Sequence, residues 1–386
     1  MDTFEEFLKR VITIAFWVLL LGPIIILPII LLVLPPLGVQ VEVANRLLTA
    51  LIDPFAMLRL VDSLGIGPSS LFFKIAVFPG FTFAALFSTA VILYERKLLA
   101  KMQNRVGPQY AGKFEGILQP IAELFKLMFK EILTPERTDK PFFWAVPFLA
   151  IAVGGALLAL IPLSPEIYIA KSEIGLVIIF AILSFTPLIV LIAGWASANK
   201  FSFIGGLRAL HLLISYEIPL ILSALGVVML SGSLDLMKIV QAQANIWFIV
   251  PQFVGAGVFF VTMLAELERI PFDLAEADSE IVAGWYTEYS GMHFGALQLA
   301  NYIKLYGLTL LFTLLFLGGW NGPAILPPLV WLFIKLFIVI SFVLALRGTN
   351  TRVRIDQLIK LGWVYLIFLA FANLFIALTV ASLGIV

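Results

Sequence analysis

The chain has 386 residues, 61% of them hydrophobic and 13% charged, with a mean hydropathy of +1.06 and a formal net charge of +1. A soluble protein is about half apolar and a quarter charged, so a soluble globular class is excluded, and the near-neutral charge gives no sign of a nucleic-acid partner. The chain has no cysteine, which excludes disulfides and an iron–sulfur cluster of its own; with His211 and His293 as the only histidines, the chain reads as carrying no metal and no redox centre.

Apolar runs of about 20 residues recur along the whole length, the pattern of membrane-spanning helices. The runs are continuous rather than alternating, so they read as helices and not as strands of a barrel. In chain order they predict an all-α polytopic membrane protein with about nine spans, near 11–34, 72–94, 141–162, 174–195, 209–231, 246–266, 295–318, 327–346 and 361–384. The first follows Lys9 and Arg10 but contains Pro23 and Pro28 and lacks a small-residue cleavage site, so it reads as a span and not a signal peptide. The connections at 35–71 and 95–140 are long enough to expect structure of their own. With the N-terminus in the cytoplasm, inner segments hold 18 of the 25 Lys and Arg, and outer loops hold Arg46, Arg59, Lys74, Lys171 and Lys238. The positive-inside trend therefore predicts a cytoplasmic N-terminus and an outer C-terminus.

The inner connection carries an amphipathic helix from Glu115 to Glu131. Gln119, Glu123, Lys126 and Lys130 lie on one face, and Ile117, Ile121, Leu124, Phe125 and Met128 on the other. It reads either as an ordinary helix of the membrane interface or as the lip of a site for a lipid-soluble substrate. Arg96, Lys97, Lys101 and Arg105 are then either head-group contacts or anchors. Inside the spans, Glu217 in SYEIPL lies about 12 Å deep at ~1.5 Å per residue. A carboxylate there costs about 2.5–3.5 kcal/mol, and Pro219 invites a kink beside it. It either stays protonated against a neighbouring helix or relays protons, with Lys304 as partner. Lys335 either continues a polar path or snorkels outward. The segment AELERIPFDLAEADSEIVAGWYTEYSG, residues 265–291, concentrates acids on the inner side and laces them with aromatics.

Taken together, ERK (95–97), QNRVGP (103–108), LQPIAELFKLMFKE (118–131), GWASANKFSFIGGLR (194–208), SYEIPL (215–220), ERIPFDLAEADSEIVAGWYTEYSG (268–291) and RVRIDQLIKLGW (352–363) resemble the quinone-site membrane subunit of complex I, the proton-pumping NADH:quinone oxidoreductase. The resemblance runs from about 72 to 384 and implies a core of eight tilted helices, partly like secondary transporters. Residues 72–386 would be that core, and residues 1–71 would add one N-terminal span and an outer connection. It also implies quinone as substrate and iron–sulfur clusters on peripheral subunits docked at the cytoplasmic side. Other membrane-arm subunits and lipids would surround the chain in an energy-transducing membrane, a prokaryotic plasma membrane or a thylakoid-like one.

By motif, the resemblance assigns Arg96, Gln103, Arg105 and Lys126 to the entrance of the quinone chamber, and Arg269, Phe272 and Asp273 to the loop that shapes it. Glu217, Glu266, Glu276, Asp278 and Glu280 resemble the acids that start the proton route, with Lys304 and Lys335 as further candidates. The chain departs from the family in three places. Many relatives carry a carboxylate where this chain has Asn301, Asp where it has Glu123, and Asn where it has Glu268. Two other classes remain as alternatives: an ion-translocating subunit of a related membrane-bound hydrogenase without quinone, and a standalone secondary transporter.

Overall fold

A computed structural model describes residues 71–112, 116–275, 278–323 and 325–383. The expected first span at 11–34 and the outer connection after it lie outside the described residues. Fourteen α-helices, one 3-10 turn and one π segment make up the described secondary structure. They are α1 Leu71–Ala76, α2 Phe81–Met102, α3 Gln119–Phe129, α4 Lys140–Leu160, α5 Gly175–Leu183, α6 Phe185–Ala196 and α7 Lys200–Ser231. After these come α8 Leu236–Ala242, α9 Phe253–Glu266, α10 Asp278–Ile281, the 3-10 turn Gly284–Tyr286, α11 Gly291–Phe316 and α12 Pro328–Thr349. The last are α13 Ile355–Lys360, the π segment Leu361–Leu366 and α14 Ile367–Ser382.

Seven of the described stretches are long and apolar enough to cross a membrane: 74–102, 140–160, 175–196, 200–231, 291–316, 328–349 and 355–382. They correspond to seven of the expected spans. The expected span at 246–266 is helical only from Phe253 to Glu266, because Pro251 and the turns around it occupy the start. The span expected at 174–195 is interrupted at Ser184. Pro187 has no N–H to offer the carbonyl of Leu183, so the ladder breaks there.

The two long helices α7 and α11 organise the bundle. α7 is started by the Asn199 side chain, which accepts from the Phe201 N–H at 2.9 Å, and is ended by Gly232 in the left-handed region at φ 64°. It packs against α6, α9 and α14. α11 lies against α2, α3, α4 and α12 and is buried almost all round, with Leu305, Leu308, Leu311, Leu314 and Phe316 fully enclosed. The loops gather at two opposite ends. At one, backbone hydrogen bonds join Asp139 to Ala196 and Val353 to Pro271, and the Leu133 N–H reaches the Ser290 hydroxyl. At the other, Leu176 bonds to Leu234 and Ile249 to Phe316. The first set holds the basic connections, so it is called the basic end below.

Candidate functional site

At the basic end the sequence places one acid deep against two bases. Glu95, on the last turns of α2, is 2% exposed. Its Oε1 accepts from Arg269 at 2.7 Å and also from Arg347 at the end of α12, while its Oε2 accepts from the Tyr302 hydroxyl at 2.9 Å. The Arg269 guanidinium also lies 4.8 Å from the centre of the Tyr302 ring, a cation–π contact. One carboxylate thus ties α2, α11, α12 and the loop after α9 together. A buried charge is tolerated only with such partners.

The chain that leaves α9 builds the next part. Leu267 caps the helix. The Glu268 N–H then bonds to the Ala265 carbonyl at 3.1 Å, and the Arg269 N–H to the Leu264 carbonyl at 3.2 Å. This is a Schellman ending, whose second residue must turn left-handed, a place for glycine or asparagine. Here Glu268 occupies it, at φ 51°, a conformation that costs a residue with a β-carbon about 1–2 kcal/mol. The turn carries Glu268 into a cavity of about 120 Å³ lined also by Arg269, Asp273, Gln298, Asn301, Tyr302 and Arg347. That volume has room for several waters and is below the ~300–1,000 Å³ of a site for a drug-sized ligand. Glu268 is 7% exposed, and its Oε1 has no hydrogen-bond partner. Burial pushes its carboxyl up to about 7; Lys304 pulls it down, Glu266 and Asp273 push it up, and the Trp285 indole N–H draws it down a little. Asn301 faces the same cavity, and its amide donates to the Tyr286 hydroxyl.

Just inside, Glu266 at the last turn of α9 is paired with Lys304 of α11 at 3.1 Å, both buried. The sequence expects Glu217 as the partner of Lys304. The ammonium instead reaches Glu266, because α11 presents it to the C-terminal end of α9. Glu217 accepts from the Ser184 hydroxyl at the break between α5 and α6, so the interruption supplies the polar partner that a continuous helix would have hidden.

The rest of the acidic segment divides in two. Asp273 is buried and pairs with Arg352 at 3.1 Å, and Phe272 packs edge-on against Tyr216 at 5.2 Å. Trp285, Tyr286 and Tyr289 are buried with Phe143, Ala193, Ala209 and Leu297, Tyr289 stacking on Phe143 at 4.3 Å. A β-carbon on Gly205 of α7 would lie 2.7 Å from the Gly284 Cα, and Gly284 itself has φ 56°, so only glycines allow this close seating of the loop. The aromatics are therefore the anchor of the segment. Glu280 by contrast is exposed and pairs with Arg208. Asp278 opens α10, and Glu276 lies outside the described residues.

The expected entrance residues gather around α3. Arg96 reaches across from α2 and holds Glu123 with both guanidinium nitrogens, the second at 2.6 Å, while Gln119 donates to the same carboxylate at 3.0 Å. Burial pushes the Glu123 carboxyl up, but the hydrogen bonds from Arg96 and Gln119 outweigh it and hold it below the usual range. Ile121, Leu124, Phe125 and Met128 are exposed, as an apolar face meant for lipid must be. Gln103 and Arg105 bond to each other at 2.7 Å beyond α2, and Lys126 is exposed. Glu115, expected within this helix, lies outside the described residues.

Lys335 sits elsewhere. At the end opposite the basic loops its ammonium donates to the carbonyls of Leu317, Gly319 and Asn321 at 2.6, 3.0 and 2.5 Å, and lies 4.2 Å from the Trp247 ring. Of the expected residues, Arg269, Asp273, Glu266 and Lys304 come together, Glu217 stands one helix away, and Lys335 is apart. Sequence reasoning missed Glu95, Tyr302, Arg347 and Arg352 as site residues. The signal for Glu95 is present in the sequence: an acid at the end of an apolar run needs a base. Among the described residues no group of three or more His, Asp or Glu is placed to hold a metal ion.

A family model described as NADH dehydrogenase matches residues 74–378. The chain is 42% identical over 333 residues to the H-type subunits of NADH-quinone oxidoreductase from Bacillus thuringiensis subsp. konkukian (strain 97-27), Bacillus cereus (strain Q1) and Bacillus anthracis (strain A0248). Those matches cover 84% of this chain and 99% of each relative. With the match extending from α1 into α14 and including every element that builds the charged site, the chain belongs to the NADH dehydrogenase family.

Proposed function

We propose that this chain is the quinone-site membrane subunit of a proton-translocating NADH:quinone oxidoreductase-type complex, with residues 1–71 an addition to the family core. The observation that carries the reading is the succession of three sets of charged partners at the basic end. It begins with Arg96 and Glu123 at the interfacial helix, passes through Glu95, Arg269, Arg347 and the polar cavity, and ends at the enclosed Glu266–Lys304 pair. The name carried by its relatives supports the same reading.

In this reading α3 lies in the membrane interface at the cytoplasmic side and lets a lipid-soluble quinone pass over its exposed apolar face. Arg269 and Asp273 shape the chamber, which peripheral subunits complete and to which they bring electrons from their iron–sulfur clusters. Quinone takes up two electrons and two protons to become the quinol. Protonation of a group beside a set of mutually interacting carboxyls shifts them together. Glu266 and Glu217 then receive and hand on protons toward the rest of the membrane arm, in an energy-transducing membrane with the N-terminus cytoplasmic.

The Glu217→Gln variant tests this, because an amide cannot carry the proton. In the intact complex, quinone-linked proton translocation should fall by about tenfold or more. Wild-type rate and stoichiometry would remove Glu217 from the route. A complex that transfers electrons and reduces no quinone would instead favour the hydrogenase-type alternative.

A further inference from the structure

The basic end holds a second, larger hollow that shares no residue with the polar cavity. It is an open groove of about 490 Å³, within the ~300–1,000 Å³ of small-molecule sites. Three segments line it. Glu136 and Arg137 stand on the connection from α3 to α4, Asn199 and Lys200 at the turn from α6 into α7, and Glu288 just before α11. The Asn199 amide donates to the Glu288 carboxylate at 2.5 Å while its oxygen caps α7, so the Glu288 side chain is held in place.

The groove thus carries two acids and two bases. Glu136, Arg137 and Lys200 are exposed and Glu288 is partly buried. Among the described residues none of the four belongs to an ion pair. Solvated surface charges need no partner, but these stand in a hollow where three membrane spans end. On its membrane side Phe142 of α4 and Trp195 of α6 are exposed and meet edge-on at 5.7 Å, and Phe201 of α7 is exposed as well. Aromatic rings at the end of a span sit at the level of the lipid headgroups. The groove therefore offers charges of both signs at headgroup depth, beside an apolar wall.

We propose that this groove binds the headgroup of phosphatidylethanolamine, with the phosphate between Arg137 and Lys200 and the primary ammonium on Glu288 and Glu136. Its acyl chains run over Phe142 and Trp195. A phosphate suits guanidinium and ammonium groups, and a primary ammonium brings three N–H donors to the carboxylates. Other headgroups fit less well. Phosphatidylglycerol has a phosphate for the bases but no cation for the acids, which repel it. Phosphatidylcholine carries both signs, but its quaternary ammonium has no N–H to donate and is recognised by aromatic cages. None of the described residues that line the groove is aromatic. A soluble phosphate would leave the aromatic wall unused. The inference concerns the lipid contacts of the chain and does not rest on the quinone reading.

The test uses the complete complex in bilayers of phosphatidylcholine that carry a small fixed fraction of phosphatidylethanolamine with a photoreactive group near its glycerol. Illumination should label this chain within residues 135–144 or 195–201. Unlabelled phosphatidylethanolamine should suppress the label at about one-fifth of the concentration that phosphatidylglycerol needs. Arg137→Ala, at an exposed position, should raise the concentration needed of either lipid about fivefold. Glu136→Gln together with Glu288→Gln should abolish the preference for phosphatidylethanolamine. Glu136→Gln alone, which leaves the bond between Asn199 and Glu288 intact, should lower that preference without abolishing it. Equal or better suppression by phosphatidylglycerol in the wild type overturns the proposal in favour of a site for anionic lipid. No label on these segments overturns it in favour of a protein subunit covering the groove. A preference that stays at the wild-type level in both glutamine variants overturns the placing of the ammonium.

Discussion

The two ends of the bundle both bury polar groups among apolar helices, and they satisfy them by different chemistry. At the basic end, charge meets charge: Glu95 with Arg269 and Arg347, Glu266 with Lys304, Asp273 with Arg352. At the opposite end, charge and amide meet backbone. Lys335 donates to three carbonyls, Gln243 bridges the Leu314 carbonyl at 2.8 Å, and Asn373 accepts from the Gly255 N–H at 2.9 Å. Carbonyls and amides do not titrate, so of these groups in the second region Lys335 alone can change charge. The first is made of groups that exchange protons, and in Glu268 one carboxyl oxygen has no hydrogen bond.

The largest test of that difference is Glu95→Gln. It leaves two guanidinium groups facing each other without their shared carboxylate, a loss of about 3–5 kcal/mol for a broken buried pair. The yield of assembled complex and its thermal midpoint should both drop sharply. An assembled variant of wild-type stability would mean that the charge cluster is not what joins α2, α11 and α12. Lys335→Met should do less and do it differently. Three carbonyls lose their donor, at a cost of about 1–3 kcal/mol, so the midpoint falls while the protons moved per electron stay as in wild type. A lowered ratio would bring Lys335 into the proton route and erase the distinction between the ends.

The smallest effect belongs to the interfacial clamp. The folded-state affinity of Glu123 for protons is below the ordinary carboxylate value. Its contribution is therefore present above that ordinary value and is lost as the pH falls through the lower one. The pair is about one-third exposed, with 41% for Arg96 and 34% for Glu123, so solvent screens much of it. Cross-linking between α2 and α3 should loosen slightly in acid and at high salt. A clamp indifferent to both would be held by packing alone.

The spans were legible because a helix in lipid has to be written as a continuous apolar run. The interruption at Ser184 and the late start of α9 were not, since proline inside a run kinks or breaks only as its neighbours allow. The amphipathic helix was legible from its two faces, although it is shorter than its charge pattern suggested. The site was half legible. Single acids inside spans announce themselves, but their partners do not: Arg269 and Arg347 reach Glu95 from 174 and 252 residues away. The left-handed turn at Glu268 was hidden, because neither glycine nor asparagine marks it.

The shortness of α9 has a consequence for its backbone. Its 14 residues rise about 21 Å at ~1.5 Å per residue, against a hydrocarbon layer of about 30 Å. The segment before it fills the remainder with hydrogen-bonded turns, where Phe248 N–H meets the Gln243 side chain and Ile249 N–H meets the Phe316 carbonyl. A full-length helix satisfies its own backbone; this last stretch of the crossing borrows its acceptors from other elements instead, so its fold depends on α8 and α11 being in place.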